Sequence, residues 1–313
     1  MTGTTTLAVG TWYHLVATID GSGNAVLYVN GLLDTTATTG ILATATQNFR
    51  IGTRSAGNEI AAVIDEVKLF NYVRTPSQVA WDYNQGKPNY HYKFDDCTGT
   101  SLKDSSGNGK TATITIGASG SNTSAGTCTT SGAWFDGATG RFNSSLDFDG
   151  TDDIAIMDEP TGTFVFEQDF TASFWIKTSG GGNILHRATA SGGSLFNFSI
   201  SSGQATFSRY DGEYSPITYS NSLLNTNTWA HVVGVKKDAM LSLYINGKLE
   251  SETADLITGG GTGTDFTTYF GNSAYLVHHY TGQLDDVRTY NYALTPTQIK
   301  VLYNESSAVR FGP

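Results

Sequence analysis

The chain repeats the stretch Thr11-Trp12-Tyr13-His14-Leu15-Val16 as Thr228-Trp229-Ala230-His231-Val232-Val233. It also repeats Leu27-Tyr28-Val29-Asn30-Gly31 as Leu243-Tyr244-Ile245-Asn246-Gly247. The offset is 217 residues at the tryptophan and 216 at the Asn-Gly pair, so the copies differ there by a single residue. Such self-similarity predicts two copies of one structural unit.

The repeat continues towards the end of each copy. Residues 64–67 (Ile-Asp-Glu-Val) match 284–287 (Leu-Asp-Asp-Val), and residues 71–78 match 291–298. The second copy is preceded by about 140 residues, 90–227, that have no counterpart in front of the first copy. The first copy therefore corresponds to half of a domain whose complete form includes the second copy.

Composition indicates an all-β chain. A length of 313 residues is typical of about two domains. The 36 glycines and only 6 prolines are typical of short strands joined by tight turns.

The net charge of −10 argues against nucleic acid as a partner. No apolar run reaches the roughly 18 residues of a membrane span, which argues against membrane insertion. Residues 1–10 lack the regions of a signal peptide, so we expect any export signal to lie elsewhere.

Alternating apolar and polar residues predict strands in both copies. The pattern runs over residues 12–19 and 229–235, and its period of two places one side of each strand against a core. The Asn-Gly pairs that follow predict hairpins, because both central residues of a type I′ turn need positive φ. Each copy ends with Thr-Pro-x-Gln, at 75–78 and 295–298, which predicts a short helix that begins with a capping box.

The two cysteines, Cys97 and Cys128, flank a loop rich in Gly, Ser and Thr. We expect them to form a disulfide, which would fasten that loop to the first strand of the second domain and indicates an oxidising compartment. Closing a loop of about 30 residues would stabilise the fold by roughly 3 to 4 kcal/mol. Two separate buried thiols are the alternative.

Further stretches carry a family resemblance. They are, in chain order, residues 90–96, 104–109, 146–153, 170–176, 229–231 with 243–247, and 282–296. In this order they resemble laminin-G-like domains of the concanavalin A-like lectin-glucanase family over nearly all of residues 90–306. Residues 10–86 resemble only the C-terminal half of the same pattern, with Arg74 where the family usually places leucine. The resemblance implies a sandwich of two curved antiparallel sheets, usually in secreted or surface proteins that bind glycans or other proteins.

We therefore predict an all-β fold made of tandem antiparallel jelly-roll β-sandwiches of the concanavalin A-like type. Residues 1–87 form an incomplete sandwich and residues 88–313 a complete one, with a boundary where turn-forming residues cluster at 86–89. Half a core cannot offset the entropy of ordering about 80 residues, so we do not expect residues 1–86 to fold autonomously.

Calcium is the cofactor that the resemblance implies, because such domains often hold a structural Ca²⁺ with carboxylate and carbonyl oxygens. The candidate ligands are Asp95, Asp104, Asn108 and Asp285, which would converge where the first and last strands of the second domain pair. In the alternative, Asp104 and Asn108 cap turns through their own side chains, and Asp285 accepts hydrogen bonds from that loop.

The turn Asp149-Gly150-Thr151-Asp152-Asp153 is a second acidic cluster. One interpretation is a calcium ion through which a sugar is bound, as in some relatives. The other interpretation, which we favour, is a hairpin turn with solvated carboxylates.

Aromatic residues offer another kind of binding site. Two segments with the character of loops place rings beside hydrogen-bonding groups, and loops are where binding residues concentrate. The candidate ligand-binding residues are Tyr210, Asp211 and Tyr214 in the first loop and Tyr275 and His278 in the second.

The sequence favours a protein that is not an enzyme. The acidic residues between 158 and 169 do not have the spacing of the carboxylate pair that glycoside hydrolases of this fold carry on one strand. We predict an extracellular or cell-surface adhesion or binding module that recognises glycans or proteins. The alternative is a structural subunit of an extracellular fibre or surface layer, in which a neighbouring chain, such as another copy of this one, completes the first domain. A third reading is that sequence absent from this chain supplies the missing half.

Overall fold

The computed structural model describes residues 1–38, 49–53, 59–159, 168–189, 193–257 and 266–305 of the chain. These residues form antiparallel sheets with a few short helices, so the predicted all-β fold is confirmed. The chain divides into two compact units, Met1–Tyr83 and Asn84–Pro313.

The first unit contains one antiparallel sheet of three strands in the order β1-β2-β3. Its elements are β1 (Leu15–Ile19), β2 (Asn24–Val29), β3 (Leu32–Thr38) and a helix, α1 (Pro76–Asn84), at its end. Asn30 and Gly31 join β2 to β3 with φ values of 51° and 79°. The predicted hairpin is therefore present, with the positive φ that its turn requires.

The second unit is a sandwich of two sheets. Its strands are β4 (Tyr90–Tyr92), β5 (Ser101–Leu102), β6 (Ala112–Thr115), β7 (Leu146–Asp149), β8 (Ile154–Glu159), β9 (Phe170–Lys177), β10 (Gly182–Thr189), β11 (Ser194–Ser201), β12 (Gln204–Tyr210), β13 (Ile217–Leu223), β14 (Ala230–Lys237), β15 (Met240–Ile245), β16 (Lys248–Ala254), β17 (Phe266–Phe270) and β18 (Thr281–Tyr290). The eight-stranded sheet has the order β13-β12-β11-β10-β17-β8-β6-β5, and the seven-stranded sheet has the order β16-β15-β14-β9-β18-β4, with β7 also paired to β18.

Two helices accompany these sheets, α2 (Ala133–Asp136) and α3 (Pro296–Tyr303). The sequence predicted α3 but missed α2, whose single turn leaves no periodic pattern to detect. Among the described residues, no helix has both the length and the apolar character needed to cross a membrane.

The core lies between the two sheets of the second unit. Phe174 of β9 meets Phe198 of β11 edge to face, with ring centroids 5.1 Å apart. Phe198 lies parallel to Phe207 of β12 at 4.6 Å. Gly234 of β14 faces these rings, and a Cβ at this position would lie 2.4 Å from Phe198. Glycine is therefore required on β14 for the sheets to approach each other.

Both copies of the repeat adopt the same local backbone. Asn246 and Gly247 have φ values of 51° and 77°, close to those of the first hairpin. Glu66 and Asp286, which are equivalent in the repeat, have φ values of 51° and 49°. A positive φ is uncommon for residues other than glycine. Its presence at matching positions shows that the sequence repeat is also a structural repeat.

The helices that close the copies begin in the same way. In α1 the Gln78 N–H donates to Thr75 Oγ1 at 3.3 Å, and the Thr75 N–H donates to Gln78 Oε1 at 3.0 Å. In α3 Gln298 and Thr295 make the same two bonds at 3.3 and 2.8 Å. The predicted capping boxes are confirmed in both helices.

The two copies differ in what covers their sheets. Val232 and Val287 of the second unit are fully buried, whereas their equivalents Leu15 and Val67 are 53% and 50% exposed. In the second unit β9 lies between β14 and β18 and the second sheet covers them. In the first unit, the described residues contain no equivalent of β9. The face that forms the core of the second unit is thus only partly covered in the first, where Leu15 is half exposed and Val29, directly opposite it, is buried.

The predicted disulfide joins Cys97 to Cys128, with an S–S distance of 2.05 Å. Beside it, the Cys128 N–H donates to the Cys97 carbonyl at 3.1 Å. Trp134 of α2 is buried and donates its indole N–H to the Gly99 carbonyl at 2.9 Å. The disulfide and the buried tryptophan together fix the loop that the sequence analysis assigned to this region.

We predict that equivalent truncations in the two copies have unequal costs. Val232→Ala should lower the free energy of unfolding of the second unit by about 2 kcal/mol, because it leaves a cavity in a packed core. Leu15→Ala should cost the first unit about 0.5 kcal/mol or less, because the side chain is already half in solvent. Denaturant unfolding of the full chain, followed by probes in each unit, measures both costs. Equal costs would show that the Leu15 face is covered.

Candidate functional site

The outer face of the eight-stranded sheet carries polar and aromatic side chains. Along a strand, successive side chains point to opposite faces, so the neighbours of core residues point outwards. Leu185, Phe198 and Phe207 lie in the core. His186 and Asn197, which adjoin the first two of these residues in sequence, therefore lie on the outer face of the sheet.

These outward residues form one row across the sheet. Backbone register places each residue of the row directly opposite the next, in the order Ile156, Tyr269, His186, Asn197, Ser208 and Ile217. Directly opposed side chains share a face and are close neighbours. Because adjacent strands lie about 4.8 Å apart, a row over six strands is about 24 Å long.

His186 lies at the centre of this row between two tyrosines. Its ring centroid is 6.2 Å from that of Tyr269 and 6.4 Å from that of Tyr275. Burial lowers the pKa of His186 to about 4, so the ring is neutral near pH 7. Its Nδ1 accepts the Ala274 N–H at 3.0 Å, so Nε2 carries the proton and donates to Ser194 Oγ at 3.0 Å. The histidine thereby holds the loop of Tyr275 beside the sheet.

The polar members of the row retain hydrogen-bonding capacity. Asn197 is half-buried, and its Oδ1 is shielded from solvent with no hydrogen-bond partner within the described part of the chain. Ser208, also half-buried, lies directly opposite it on β12. Because both residues are only half-buried, part of each polar side chain is exposed at this face.

The first predicted aromatic loop lies at one end of this face. Tyr210 follows Ser208 by two residues, so it lies on the same face of β12, and it is 38% exposed. Asp211 accepts the N–H groups of Glu213 and Tyr214 at 2.9 and 2.7 Å. Asp211 therefore shapes the loop, while Tyr214 is 43% exposed.

The second predicted loop connects β17 to β18. Tyr275 is 63% exposed and reaches the row through its contact with His186. His278 is exposed, and its carbonyl accepts the Asn183 N–H at 2.8 Å. Of the five predicted ligand-binding residues, Tyr210 and Tyr275 are thus associated with the row of outward side chains.

Sequence analysis missed Tyr269, His186, Asn197 and Ser208. Their signal was the alternation of polar with apolar residues, as in the run from Phe196 to Ile200. That alternation reveals an exposed face but not which strands are neighbours. The row exists only because β17, late in the sequence, pairs with β10 and β8.

The acidic turn after β7 has the hydrogen bonds of a structured turn. Asp149 accepts the N–H groups of Asn122 and Thr151, both at 2.9 Å. Asp152 accepts the Ser119 N–H at 3.0 Å. Burial, together with the charges of Asp149 and Asp152, raises the pKa of Asp153 to about 6. The turn therefore anchors the loop of residues 117–122.

The same turn is the one group of three carboxylates in the described residues whose ligand atoms lie within 4.8 Å of one another. A crevice of about 200 Å³ adjoins it. The polar lining of the crevice includes Asp147, Asp149, Lys177 and Gln283. The turn leads from β7 in one sheet to β8 in the other, and Asp153 is buried, so the expected hairpin with solvated carboxylates is wrong. A metal site at this turn stays a prediction.

The four predicted calcium ligands divide into two hydrogen-bonded groups. Asp104 accepts the N–H groups of His91, Ser106 and Lys110 at 3.0, 2.9 and 3.0 Å. Asn108 donates its side-chain N–H to the Asn89 carbonyl at 2.9 Å. Asp104 therefore caps turns of its own loop, as the alternative to a metal site described. The Asn108 side chain instead bonds to the segment before β4.

Asp95 and Asp285 contact a different loop. Asp95 accepts from the Asn143 side chain at 3.1 Å and from the Ser144 N–H at 3.2 Å. Asp285 is fully buried and accepts the Phe142 N–H at 2.8 Å. Its Oδ1 is buried with no hydrogen-bond partner in the described ranges.

Asp285 is the residue of the four that best fits a cation. Burial raises the pKa of Asp285 to about 8, and the charges of Asp286 and Asp95 contribute to the rise. An orphaned, buried carboxylate oxygen beside further negative charge is an environment that a divalent cation would stabilise. A calcium site that includes all four residues stays a prediction.

The chain belongs to a laminin-G-like family described as the concanavalin A-like lectin/glucanases superfamily. The family model matches residues 1–80 and 148–300, so it covers both copies of the repeat. The family resemblance of the sequence motifs is thereby confirmed. No curated protein matches the chain.

Solved structures share this fold at low identity. The binding domain of Paraclostridial Mosquitocidal Protein 1 is 14% identical with a TM-score of 0.52, and the match covers 72% of this chain and 53% of that one. A structure of botulinum neurotoxin type C, whose cell entry depends on interaction with two ganglioside molecules, is 15% identical with a TM-score of 0.51, covering 72% and 52%. This chain therefore spans about half the length of these toxin structures.

A carbohydrate-active enzyme contributes a further relative of the fold. Domain 4 of AbnA, an extracellular arabinanase from Geobacillus stearothermophilus, was solved in complex with arabinotriose. It is 20% identical with a TM-score of 0.52, and the match covers 69% of this chain and 98% of that domain. At these identities the similarity establishes the fold alone.

We predict that calcium stabilises the second unit through Asp285. The wild-type chain should melt at a higher temperature in excess calcium than in excess chelator, because an ion that binds only the native state stabilises it, by about 2.7 kcal/mol at a hundred times its Kd. Asp285→Asn should remove this difference. Glu250→Ala is the control, because this carboxylate of β16 accepts the Asn221 and Ser222 N–H groups and is not a predicted ligand. It should lower the melting temperature equally in both conditions. An unchanged wild-type melt, with no metal found by elemental analysis, would contradict the prediction.

Proposed function

We propose that the second unit is a non-catalytic glycan-binding module of an extracellular or cell-surface protein. The observation that supports this proposal is the row of outward side chains across the eight-stranded sheet. The row includes the ring of Tyr269, the amide of Asn197 and the hydroxyl of Ser208, and the ring of Tyr275 adjoins it through His186. Binding sites of this kind need apolar surface and a few well-placed polar groups.

The chemistry of the row suits a sugar. A pyranose or furanose presents hydroxyl groups around its edge and C–H groups on its faces, so it needs both hydrogen-bonding groups and flat apolar surface. The side chains of Asn197 and Ser208 are half-buried, and both residue types can donate and accept hydrogen bonds. Tyr275, 63% exposed, offers a ring face at the centre of the row.

The length of the row favours an oligosaccharide over a single sugar. A row of about 24 Å accommodates several sugar rings in line. The contacts are spread over strands that belong to a rigid sheet, so the site is preformed and little ordering entropy opposes binding.

Three further observations support the proposal. The fold is one that binding domains of toxins and of an arabinanase share. The disulfide between Cys97 and Cys128 suits an oxidising, extracellular compartment. The negative net charge suits a neutral ligand better than a polyanionic one.

We predict that a glycan array probed with the full chain will identify an oligosaccharide ligand that binds this face. Tyr275→Ala should weaken its binding about tenfold, equivalent to about 1.4 kcal/mol, because one exposed ring is lost. Asn197→Ala should weaken binding without altering the Tyr275 loop. Phe135→Ala, which removes a 48% exposed ring on α2, is the control and should bind like the wild type.

Two results would contradict the proposed function. One is a glycan whose affinity is unaffected by both substitutions on the face. The other is hydrolysis of the bound glycan by the purified chain, which would show that the module is catalytic.

A further inference from the structure

His186 is the residue that fastens the tip of the loop between β17 and β18 to the eight-stranded sheet. Nearer its ends, the main chain of this loop bonds to β10, where the Asn183 N–H donates to the His278 carbonyl at 2.8 Å. At the tip, residues 274–277, the described part of the chain has one hydrogen bond to the sheet, from the Ala274 N–H to Nδ1 of His186 at 3.0 Å. That bond is therefore the polar link between the tip and the sheet.

The hydrogen bonds of His186 require a neutral ring. Nδ1 can accept the Ala274 N–H only while it carries no proton. Nε2 then carries the proton and donates to Ser194 Oγ at 3.0 Å. A proton added to Nδ1 would point at the Ala274 N–H, so two donors would meet and neither would have an acceptor. The bond between the sheet and the loop tip thus exists in one protonation state of the ring.

The surroundings of the ring do not favour a positive charge. His186 is buried, and burial lowers its pKa to about 4, with no contribution from a neighbouring charge within the described residues. The titratable groups that face it are Tyr269 of β17 and Tyr275 of the loop, with ring centroids 6.2 and 6.4 Å away. Both lie beyond the roughly 6 Å within which an aromatic face attracts a cation. On β11, Ser194 and Asn197 face the ring, and neither titrates.

Other ionisable groups near the ring point elsewhere. Arg187 follows His186 in β10, so its buried side chain lies on the opposite face of the sheet. In the loop, the His278 side chain is exposed. Nδ1 of His279 accepts the side-chain N–H of Asn272 at 2.8 Å. His279 is therefore the second group whose protonation would disturb a bond of the loop, and an experiment on His186 must control for it.

We propose that His186 is the positioning residue of the proposed glycan site and that protonation of its ring releases the loop tip, and Tyr275 with it, from the sheet. Near neutral pH the neutral ring holds Tyr275 beside the row of outward side chains. In acid the proton on Nδ1 breaks the bond to Ala274, and the site loses its most exposed ring. The module then binds its ligand more weakly in acid. This inference rests on the proposed function, because Tyr275 belongs to that site.

Linkage gives the direction of the pH effect. The pKa of the His186 ring is about 4 in the closed loop, where burial lowers it, and returns towards its ordinary value of 6.5 when the open loop exposes the ring. The open loop therefore binds the proton more tightly. Closure is fully favoured above pH 6.5 and is lost progressively as the pH falls towards 4. These values make closure about twentyfold less favourable at pH 5 than at pH 7.

Amide hydrogen exchange of the full chain measures closure of the loop without any ligand. The Ala274 amide exchanges when its bond to His186 opens, so its protection factor reports the closing equilibrium once the intrinsic effect of pH on exchange is removed. In the wild type this protection factor should fall about twentyfold from pH 7 to pH 5.

Three variants assign the effect to one nitrogen atom. His186→Asn places a side-chain oxygen where Nδ1 lies, since both atoms are bonded to Cγ, and it cannot be protonated, so Ala274 should be protected equally at pH 7 and pH 5. His186→Ala removes the acceptor and should leave Ala274 weakly protected at both pH values. His279→Asn is the matched control and should show the pH dependence of the wild type. Far-ultraviolet circular dichroism checks that each variant keeps its sheets.

Two results would overturn the proposal. One is a wild-type protection factor of Ala274 that is the same at pH 7 and pH 5. The other is an equal fall in His186→Asn, because the proton would then act at another group. Both results concern the loop alone and do not depend on a glycan. Failure of the glycan array, in contrast, overturns the proposed function and leaves the exchange of Ala274 unaffected.

Discussion

The second unit depends on the pairing of β9 with strands on both of its edges. β9 bonds to β14 on one side and β18 on the other, and its inward rings pack on Phe198 and Phe207 of the facing sheet. In this eight-residue segment the backbone groups are thus hydrogen-bonded on both edges and the inward apolar side chains are buried. Within the described residues, the first unit has the equivalents of β14 and α3 without this strand. Leu15 is 53% exposed there, whereas the equivalent Val232 is fully buried.

The two faces of the eight-stranded sheet have different roles: the inner face forms the core, and the outer face carries the proposed binding site. One face of the eight-stranded sheet packs into the core, so its outer face is free to carry Tyr269, His186, Asn197 and Ser208 without cost to the fold. His186 is neutral and shares hydrogen bonds with Ser194 and Ala274, which links the sheet to the loop of Tyr275. Rigid strands and a fastened loop give a preformed surface.

Much of the fold was predictable because its signals are local. Asn-Gly hairpins and Thr-Pro-x-Gln caps need only a few adjacent residues, and both were found in each copy. The row of outward side chains was not predictable, since it depends on β17 pairing with β8 and β10 far away in the sequence. The predicted calcium ligands illustrate the same limit. Asp104 makes local turn bonds. Asn108, Asp95 and Asp285 instead bond to segments that no local pattern connects to them.

Amide hydrogen exchange of the full chain tests the central claim, that the first copy is the same unit without its inner strand. The amides of Val232 and Gly234, bonded to β9, should exchange slowly, since they open only with the core. Those of Leu15 and Ala17, at the equivalent positions of β1, should exchange at rates close to those of unstructured peptide, while neighbouring amides bonded to β2 are protected. Comparable protection at the two pairs of positions would contradict the account.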